Sequence, residues 1–169
     1  ALFVAAGGGP DSAVYRWSVL AAAVGLLAWN AQLLTARRPR PLAIDVSLKP
    51  QHYVQACAHS IIYLYWAIHV PLVRDALPLI GVQLAFAYGF DLLLAWTRQG
   101  RYTLGFGPFP VVFSTNLFLW FKPDWFYLQF VMVALGFTAK EVIRWDKGGR
   151  RGHVFNPSSF PLAVMSVLL

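Results

Sequence analysis

The chain has few charged residues: only 12% of its 169 residues are Asp, Glu, Lys or Arg, against about 25% in a typical soluble domain. By contrast, 58% of the residues are hydrophobic and 16% are aromatic. A chain this rich in apolar side chains is not disordered, and an ordinary soluble domain carries more surface charge. The composition therefore predicts a membrane protein.

Cysteine is almost absent as well, because Cys57 is the only one in the sequence. A single cysteine excludes an internal disulfide, a CxxCH haem attachment and an iron–sulfur cluster ligated by this chain alone. We expect Cys57 to be a small buried apolar residue. The sequence also lacks GxSxG, HExxH and P-loop patterns, so hydrolytic chemistry is not expected and no metal site is predicted.

Acidic residues are scarce relative to basic ones: 7 Asp and Glu stand against 14 Lys and Arg, which gives a formal net charge of +7. These fourteen basic residues are scattered along the chain and are too few to coat a nucleic-acid duplex. We therefore expect no nucleic-acid partner, and the surplus charge requires an explanation in a membrane setting.

Charged residues divide the chain into apolar lengths close to the 20 or so residues that a membrane helix needs. We predict an all-α, polytopic transmembrane helix bundle in one domain, 1–169, with about five spans and the start of a sixth. The fourth span contains 105–110, a Gly- and Pro-rich stretch that cannot be regular helix, so this span is either broken or re-entrant. The predicted spans are 17–36, 50–73, 76–97, 102–121 and 125–143, followed by a further helix that starts within 156–169.

The basic residues predict the orientation of the chain. If the spans alternate, eleven of the fourteen fall on one side, and the positive-inside rule places that side in the cytoplasm and the N-terminus outside. The eleven are Arg37, Arg38, Arg40, Lys49, Arg98, Arg101, Lys140, Arg144, Lys147, Arg150 and Arg151, and the other three are Arg16, Arg74 and Lys122.

Polar residues within the predicted spans are candidates for an ion pathway. Asp91 lies in the third span, where a carboxylate costs about 2.5–3.5 kcal/mol. It either forms an ion, proton or ligand site or pairs with Arg98 or Arg101 near the interface. Ser114, Thr115 and Asn116 form a polar triplet in the fourth span, and they either line a cavity or hydrogen-bond across helices.

Histidines are few, and their spacing argues against haem. His52 and His59 are seven residues apart and share a helix face. A paired-helix cytochrome needs histidines on facing helices at matched depths. Haem or pigment binding is therefore not expected.

The last third of the chain contains the most specific pattern. A basic, Gly-rich loop at 146–152 precedes Asn156, a good helix N-cap, and Pro157, which suits a first helical turn. Free N–H groups at such a helix start, next to basic residues, can hold a phosphate or carboxylate. The alternative is a basic loop that only sets topology. The candidate cofactor-binding residues are Arg150, Arg151, His153 and Asn156.

This segment resembles the RnfD and NqrB membrane subunits of redox-driven ion pumps, including the RnfD relatives described as UnbU. In that family a span ends in a Gly-x-x-x-Gly-Lys-Glu-Val type sequence, followed by a Gly-rich loop, a basic residue and a Phe/Leu-Asn-Pro-Ala helix start. Ala139 and Ser158 depart from the pattern. The matching residues are Gly136, Lys140, Glu141, Val142, Gly148, Gly149, Arg150, Phe155, Asn156 and Pro157.

The resemblance implies a fold similar to the urea and ammonium transporters, with two five-span repeats of inverted topology. The 169 residues would be the first repeat and the start of the second, hence the N-terminal half of a longer protein of the bacterial inner (cytoplasmic) membrane. It implies a non-hydrolytic subunit of a redox-driven translocase, with flavin- or quinone-linked electron transfer, Na⁺ or H⁺ translocation, and other membrane subunits and the lipid bilayer as partners.

The family esterifies FMN to a threonine in a Ser/Thr-x-Ala-Thr sequence, which this chain does not contain. FMN or another flavin is therefore expected here without that covalent attachment. Two alternatives stay open. One is a cofactor-free accessory or scaffold subunit of a larger respiratory or photosynthetic complex, and the other is a solute channel, suggested by fold analogy and the triplet 114–116 alone.

Overall fold

The computed structural model describes residues 13–36, 41–119, 128–148 and 150–168. These residues are mostly helical, as predicted, but they also form two small two-stranded sheets, which an all-α prediction did not include. The helices are α1 (Ala13–Leu34), α2 (Pro50–His69), α3 (Pro71–Arg98), α4 (Pro108–Leu119), α5 (Leu128–Val142) and α6 (Ser159–Leu168). The strands are β1 (Ala43–Val46), β2 (Arg101–Leu104), β3 (Arg144–Lys147) and β4 (Arg150–His153).

The turn between α2 and α3 falls earlier than the predicted boundary between 50–73 and the next span. Val70 is extended, with φ −122 and ψ 105, and α3 begins at Pro71. A proline disfavours helical geometry in the residue before it and has no N–H with which to continue a helix. Arg74 and Asp75, which we expected in the connecting loop, therefore lie at the start of α3.

The predicted fourth span, 102–121, is not one continuous helix over its described part. Its first residues belong to β2, bends follow, and α4 covers only Pro108–Leu119. Twelve helical residues extend about 18 Å, which is shorter than the roughly 30 Å hydrocarbon core of a bilayer. The predicted break is thus confirmed at 105–107, whereas 108–110 form the first turn of α4. Residues 120 and 121 lie outside the described residues.

The predicted fifth span, 125–143, corresponds to α5, with 125–127 outside the described residues. An antiparallel hairpin of β3 and β4 follows, in which Arg144 lies opposite His153. Gly148 at its turn has φ +61, in the left-handed region that tight hairpin connections require. Helix α6 begins at Ser159, three residues after the predicted start at 156.

Strands β1 and β2 pair in parallel, with Ala43 opposite Arg101. The segment after α1 therefore lies beside the segment after α3, so both helices run toward the same end of the molecule. Helix α5 ends there too, because Gln99 Nε2 donates a hydrogen bond of 2.6 Å to Glu141 Oε1. We call this end the basic end, and it consists of 43–49, 98–105, 140–148 and 150–158.

The largest hydrophobic cluster lies where α2, α3, α4 and α5 meet. The Tyr63 hydroxyl donates a hydrogen bond of 2.6 Å to the carbonyl oxygen of Phe113 inside this cluster, so its polar atom is satisfied although the ring is buried. The buried members are Tyr63, Ala67, Val73, Ile80, Ala87, Leu94, Val111, Val112, Phe113, Val133 and Phe137.

A second set of buried side chains is polar and joins three helices. Gln83 of α3, Asn116 of α4 and Gln129 of α5 are each at most 4% exposed. Asn116 Nδ2 donates to Gln83 Oε1 at 2.6 Å, and Gln83 Nε2 donates to Gln129 Oε1. Buried amides need such partners, and we call these three residues the amide network. Asn116 therefore hydrogen-bonds across helices.

Two of the described helical segments are long and apolar enough to cross a membrane, Tyr15–Leu34 of α1 and Pro71–Arg98 of α3. Large apolar side chains are also exposed on α1 and α2, among them Leu27, Ile61 and Ile68, each at least 67% exposed. Exposed apolar surface of this kind is typical of a face that meets lipid or another subunit. Together these features indicate membrane association.

Cys57 is exposed, so the expectation that it is buried was wrong. Helix α2 buries Ala56, Tyr63 and Ala67, which recur at roughly helical spacing and form one stripe. Cys57 lies outside this stripe, on the side of α2 where apolar residues are exposed.

Candidate functional site

A cavity of about 650 Å³ lies at the basic end, between α2, α4, the end of α5 and the segment leading into α6. This volume is within the range of small-molecule sites, about 300–1,000 Å³. We call it the basic-end cavity. It is lined by Lys49, Gln51, His52, Gln55, His59, Gly107, Pro110, Val111, Ser114, Lys140, Val154, Phe155, Asn156, Pro157 and Ser158.

Helix α2 supplies one polar face to the cavity. His52, Gln55 and His59 are spaced at i, i+3 and i+7 and therefore lie on the same side of the helix. The ring of His52 lies against Gly107, where an added Cβ would be 3.8 Å from His52 Nδ1. The absence of a side chain at this glycine keeps space open beside the histidine.

Helices α5 and α6 meet at the opposite wall of the cavity. A Cβ added to Gly136 would collide with the carbonyl oxygen of Pro157 and would lie 3.5 Å from Pro161 Cγ. Only glycine permits this approach. The close contact brings Lys140, one turn further along α5, to the same cavity as Pro157.

Asn156 begins the turn that leads into α6. Its Oδ1 accepts hydrogen bonds from the Ser158 backbone N–H at 3.0 Å and from the Ser158 hydroxyl at 2.8 Å. Its carbonyl oxygen accepts from the N–H of Phe160 at 3.0 Å. These are the contacts of a capping residue, although the regular helix starts only at Ser159.

The charge inside the cavity is cationic. Lys49 and Lys140 line it, and both charges act on His52. No Asp or Glu is among its described lining residues. The Nδ1 atom of His59 is buried and has no hydrogen-bond partner in the part of the chain that the structure describes. Since buried polar atoms are normally paired, this nitrogen is an unsatisfied polar group beside the cavity.

The predicted candidates divide between the cavity and the bundle interior. Ser114 and Asn156 both line the cavity, whereas Asn116 belongs to the amide network. The Thr115 hydroxyl donates to the carbonyl oxygen of Val111 in its own helix at 2.8 Å. The polar triplet is therefore split. The remaining cofactor candidates, Arg150, Arg151 and His153, lie on β4, which leads to the cavity.

Asp91 lies apart from the cavity lining, about two turns before the end of α3. The two arginines predicted to pair with it contact other carboxylates: Arg98 Nε lies 3.7 Å from Glu141 Oε1, and Arg101 Nε lies 3.4 Å from Asp45 Oδ2. Among the described residues, no hydrogen bond or ion pair holds the Asp91 carboxylate. The charges of Lys140 and Glu141 both act on it, and its role in an ion pathway stays a prediction.

A tyrosine hydroxyl lies near Asp91. Tyr102 of β2 is 3% exposed, and its hydroxyl has no hydrogen-bond partner within the described ranges. Burial raises the pKa of the Tyr102 hydroxyl, and the negative charge of Asp91 raises it further. The hydroxyl therefore stays protonated and remains a hydrogen-bond donor at neutral pH.

Sequence reasoning missed most of the α2 wall of the cavity. His52 and His59 were recognised as sharing a face, but only in connection with haem, and Lys49 and Gln55 were not singled out. The useful signal was the repeated polar residues on one side of an otherwise apolar helix, which indicates a polar surface facing the protein. Lys140 was noted as part of the family pattern, without a role in a site.

The resemblance to RnfD and NqrB depends only on the motif residues of this chain, because the comparisons with known proteins add no relative to it. Within the described residues, no group of three or more His, Cys, Asp or Glu is placed to hold a metal ion. Comparisons with protein-family models, curated proteins and solved structures found no match to the chain.

Proposed function

We propose that the chain is an integral membrane subunit of an electron-transport complex of RnfD/NqrB type. In this proposal it supports flavin- or quinone-linked electron transfer and the translocation of Na⁺ or H⁺, and it works with other membrane subunits. The chain crosses the bacterial inner membrane five times, the fourth time through the broken segment that contains α4, and starts a sixth crossing. Its N-terminus lies outside and its basic end in the cytoplasm.

The observation that carries the proposal is the position of the family-like residues around one cavity. Lys140 and Asn156 come from the two parts of the pattern that resemble RnfD and NqrB, and both line the basic-end cavity. The glycine of the first part, Gly136, contacts the proline of the second, Pro157. A pattern that merely set topology would not need this close contact around a ligand-sized space.

The cavity has the chemistry that a flavin or quinone ring requires. Its residues Ser114 and His59 would hydrogen-bond the polar edge of a ring, and Phe155 would give it an apolar wall. When bound, such a ring supplies reversible electron transfer, which no side chain of this chain provides. The candidates Arg150, Arg151 and His153 belong to β4, the strand that directly precedes the cavity-lining residues 154–158.

Ion translocation in this proposal uses Asp91, the intramembrane carboxylate. A carboxylate at such a position is costly and is typical of ion or proton pathways. With Asp91→Asn, we expect redox-linked Na⁺ or H⁺ uptake into vesicles to fall, while electron transfer continues. Unchanged uptake would remove Asp91 from the pathway.

The flavin or quinone site is tested by filling the cavity. The whole chain, purified in lipid, is expected to bind FMN or a soluble quinone, as measured by flavin fluorescence and by equilibrium dialysis. Ser114→Leu should abolish binding because the larger side chain occupies the cavity. Ser166→Leu is the matched control, since Ser166 is an exposed serine of α6 that does not line the cavity.

A folded wild-type chain that binds neither flavin nor quinone would overturn the proposal. The accessory or scaffold function would then take its place, supported by the exposed apolar faces of α1 and α2. A solute channel has less support, because Thr115 and Asn116 are both hydrogen-bonded within the protein.

A further inference from the structure

Cations at the basic end occur in two different settings. Outside the cavity, Arg98 and Arg144 both contact Glu141, and Arg101 contacts Asp45. Within the described residues, Lys49 and Lys140 have no carboxylate at ion-pair distance, although they line the same cavity. Among the described residues, the two lysines that line the cavity therefore form no ion pair, although the charge of Lys140 also acts on the Asp91 carboxylate.

The ammonium group of Lys140 contacts an aromatic ring and has neutral polar side chains in the same cavity. Its Nζ atom lies 5.4 Å from the centroid of the Phe137 ring, a contact that stabilises a cation without neutralising it. Neutral donors stand close by, since Gln51 and Gln55 of α2 line the same space. Two ammonium groups with neighbouring amides form a lining that favours an anion with several acceptor oxygens.

We infer that Lys49 and Lys140 form a subsite for a phosphate monoester, so that the cavity holds its ligand by a phosphate group without a covalent bond. This inference rests on the proposed function and specifies the ligand class of the same cavity. A phosphate monoester carries a charge of about −1.5 to −2 at neutral pH, which matches the two lysines that line the cavity. A neutral quinone or riboflavin would leave both charges unbalanced.

The test compares FMN with riboflavin, which has the same ring but no phosphate. Both are titrated by flavin fluorescence against the whole chain in phosphatidylcholine nanodiscs. Because a charge-assisted hydrogen bond contributes roughly tenfold or more to an affinity, FMN should bind at least about tenfold more tightly than riboflavin. Inorganic phosphate should compete with FMN and leave riboflavin binding unchanged.

Variants of the two lysines test whether these residues cause the difference in affinity between FMN and riboflavin. Lys49→Gln and Lys140→Gln should each weaken FMN binding by about tenfold without changing riboflavin binding. Arg74→Gln is the charge-matched control, since Arg74 is an exposed cation in the first turn of α3, at the other end of the helices. Circular dichroism confirms that each variant is folded. Equal loss in the Arg74 variant would show a general charge effect and overturn the subsite.

The outcomes separate this subsite from the proposed function. If riboflavin binds as tightly as FMN, the ring site stands and the phosphate subsite is wrong. If neither flavin binds but inorganic phosphate slows amine labelling of Lys49 and Lys140, the subsite stands and the flavin proposal fails. If neither flavin binds and phosphate gives no protection, both are wrong.

A lipid headgroup is the other source of a phosphate at this end of the molecule. The FMN titration is therefore repeated with phosphatidylglycerol in place of phosphatidylcholine. Unchanged FMN affinity supports a soluble phosphate monoester. Loss of FMN binding in phosphatidylglycerol, restored in phosphatidylcholine, would assign the two lysines to an anionic lipid and overturn the inference.

Discussion

The amide network and the basic-end cavity both contain a polar side chain of α4, but the two side chains differ in their surroundings. One is enclosed by hydrogen-bond partners, and the other faces open space. In the network, Asn116 is 1% exposed and is hydrogen-bonded to Gln83, which is bonded to Gln129. In the cavity, Ser114 faces open space beside Lys140 and His59. Positions only two residues apart on α4 thus belong to different sets of polar groups. One set is closed, with its members hydrogen-bonded to each other, and the other is open to the cavity.

The difference shows how polar residues in an apolar chain can be sorted by the completeness of their hydrogen bonding. A closed network fixes the packing of three helices, because losing one member leaves the others unpaired in a low-dielectric interior. An open set gains little stability from its polar groups and is free to bind a ligand. The substitutions below test this difference between the network and the cavity. They are ordered from the largest to the smallest expected effect on stability.

Replacing Asn116 with Leu should have the largest effect. The substitution removes the donor to Gln83 Oε1, and a buried acceptor left without a partner costs about 1–3 kcal/mol in addition to the lost hydrogen bond. We expect a loss of about 3 kcal/mol, measured by chemical unfolding in detergent. A change below about 0.5 kcal/mol, the usual effect of a surface substitution, would show that the network is not closed.

Replacing Gly136 with Ala should destabilise the contact between α5 and the start of α6. The added Cβ would collide with the carbonyl oxygen of Pro157, and overpacking of this kind costs about 1–3 kcal/mol. We expect loss of stability together with loss of ligand binding, since the contact forms one wall of the cavity. Gly25→Ala is the matched control, because no atom lies within 4 Å of a Cβ added there.

Replacing Tyr63 with Phe should have an intermediate effect. It removes the hydrogen bond of 2.6 Å to the carbonyl oxygen of Phe113 but keeps the ring in the hydrophobic cluster. We expect a loss of about 1 kcal/mol, the usual net value of one such bond. Ligand binding should be unchanged, and a large decrease in it would mean that this bond also shapes the cavity.

Replacing Lys140 with Gln should have the smallest effect on stability. Lys140 has no carboxylate partner among the described residues, so unfolding should change by less than about 0.5 kcal/mol. Binding of a phosphate-bearing ligand should nevertheless decrease. A variant that unfolds instead would place Lys140 with the structural residues and remove the contrast between the two regions.

Local features of the fold could be predicted where backbone chemistry decides them. The break at 105–107 followed from the glycines and prolines of 105–110, and Asn156 makes the capping contacts expected of it. Pro71 was a local signal of the same kind, because it forces Val70 out of helical geometry and so ends α2 at His69. Counting charges instead placed that boundary at Arg74 and Asp75.

Features that depend on distant parts of the chain could not be predicted. Ala43 pairs with Arg101 in the parallel sheet, and nothing local to either segment indicates the other. The cavity poses the same difficulty, because His52, Ser114 and Lys140 come from three helices whose relative rotation is set by packing. For this reason Ser114, Thr115 and Asn116 were predicted together, although the structure separates them.

The most direct test of the account is to locate bound flavin along the chain. A photoactivatable azido derivative of FMN is bound to the whole protein in nanodiscs, illuminated, and its sites of attachment are found by peptide mass spectrometry. The account predicts labelling of the cavity lining, within 49–59, 107–114, 140 and 154–158, that excess FMN prevents. Labelling confined to other parts of the folded chain, or unaffected by excess FMN, would contradict it.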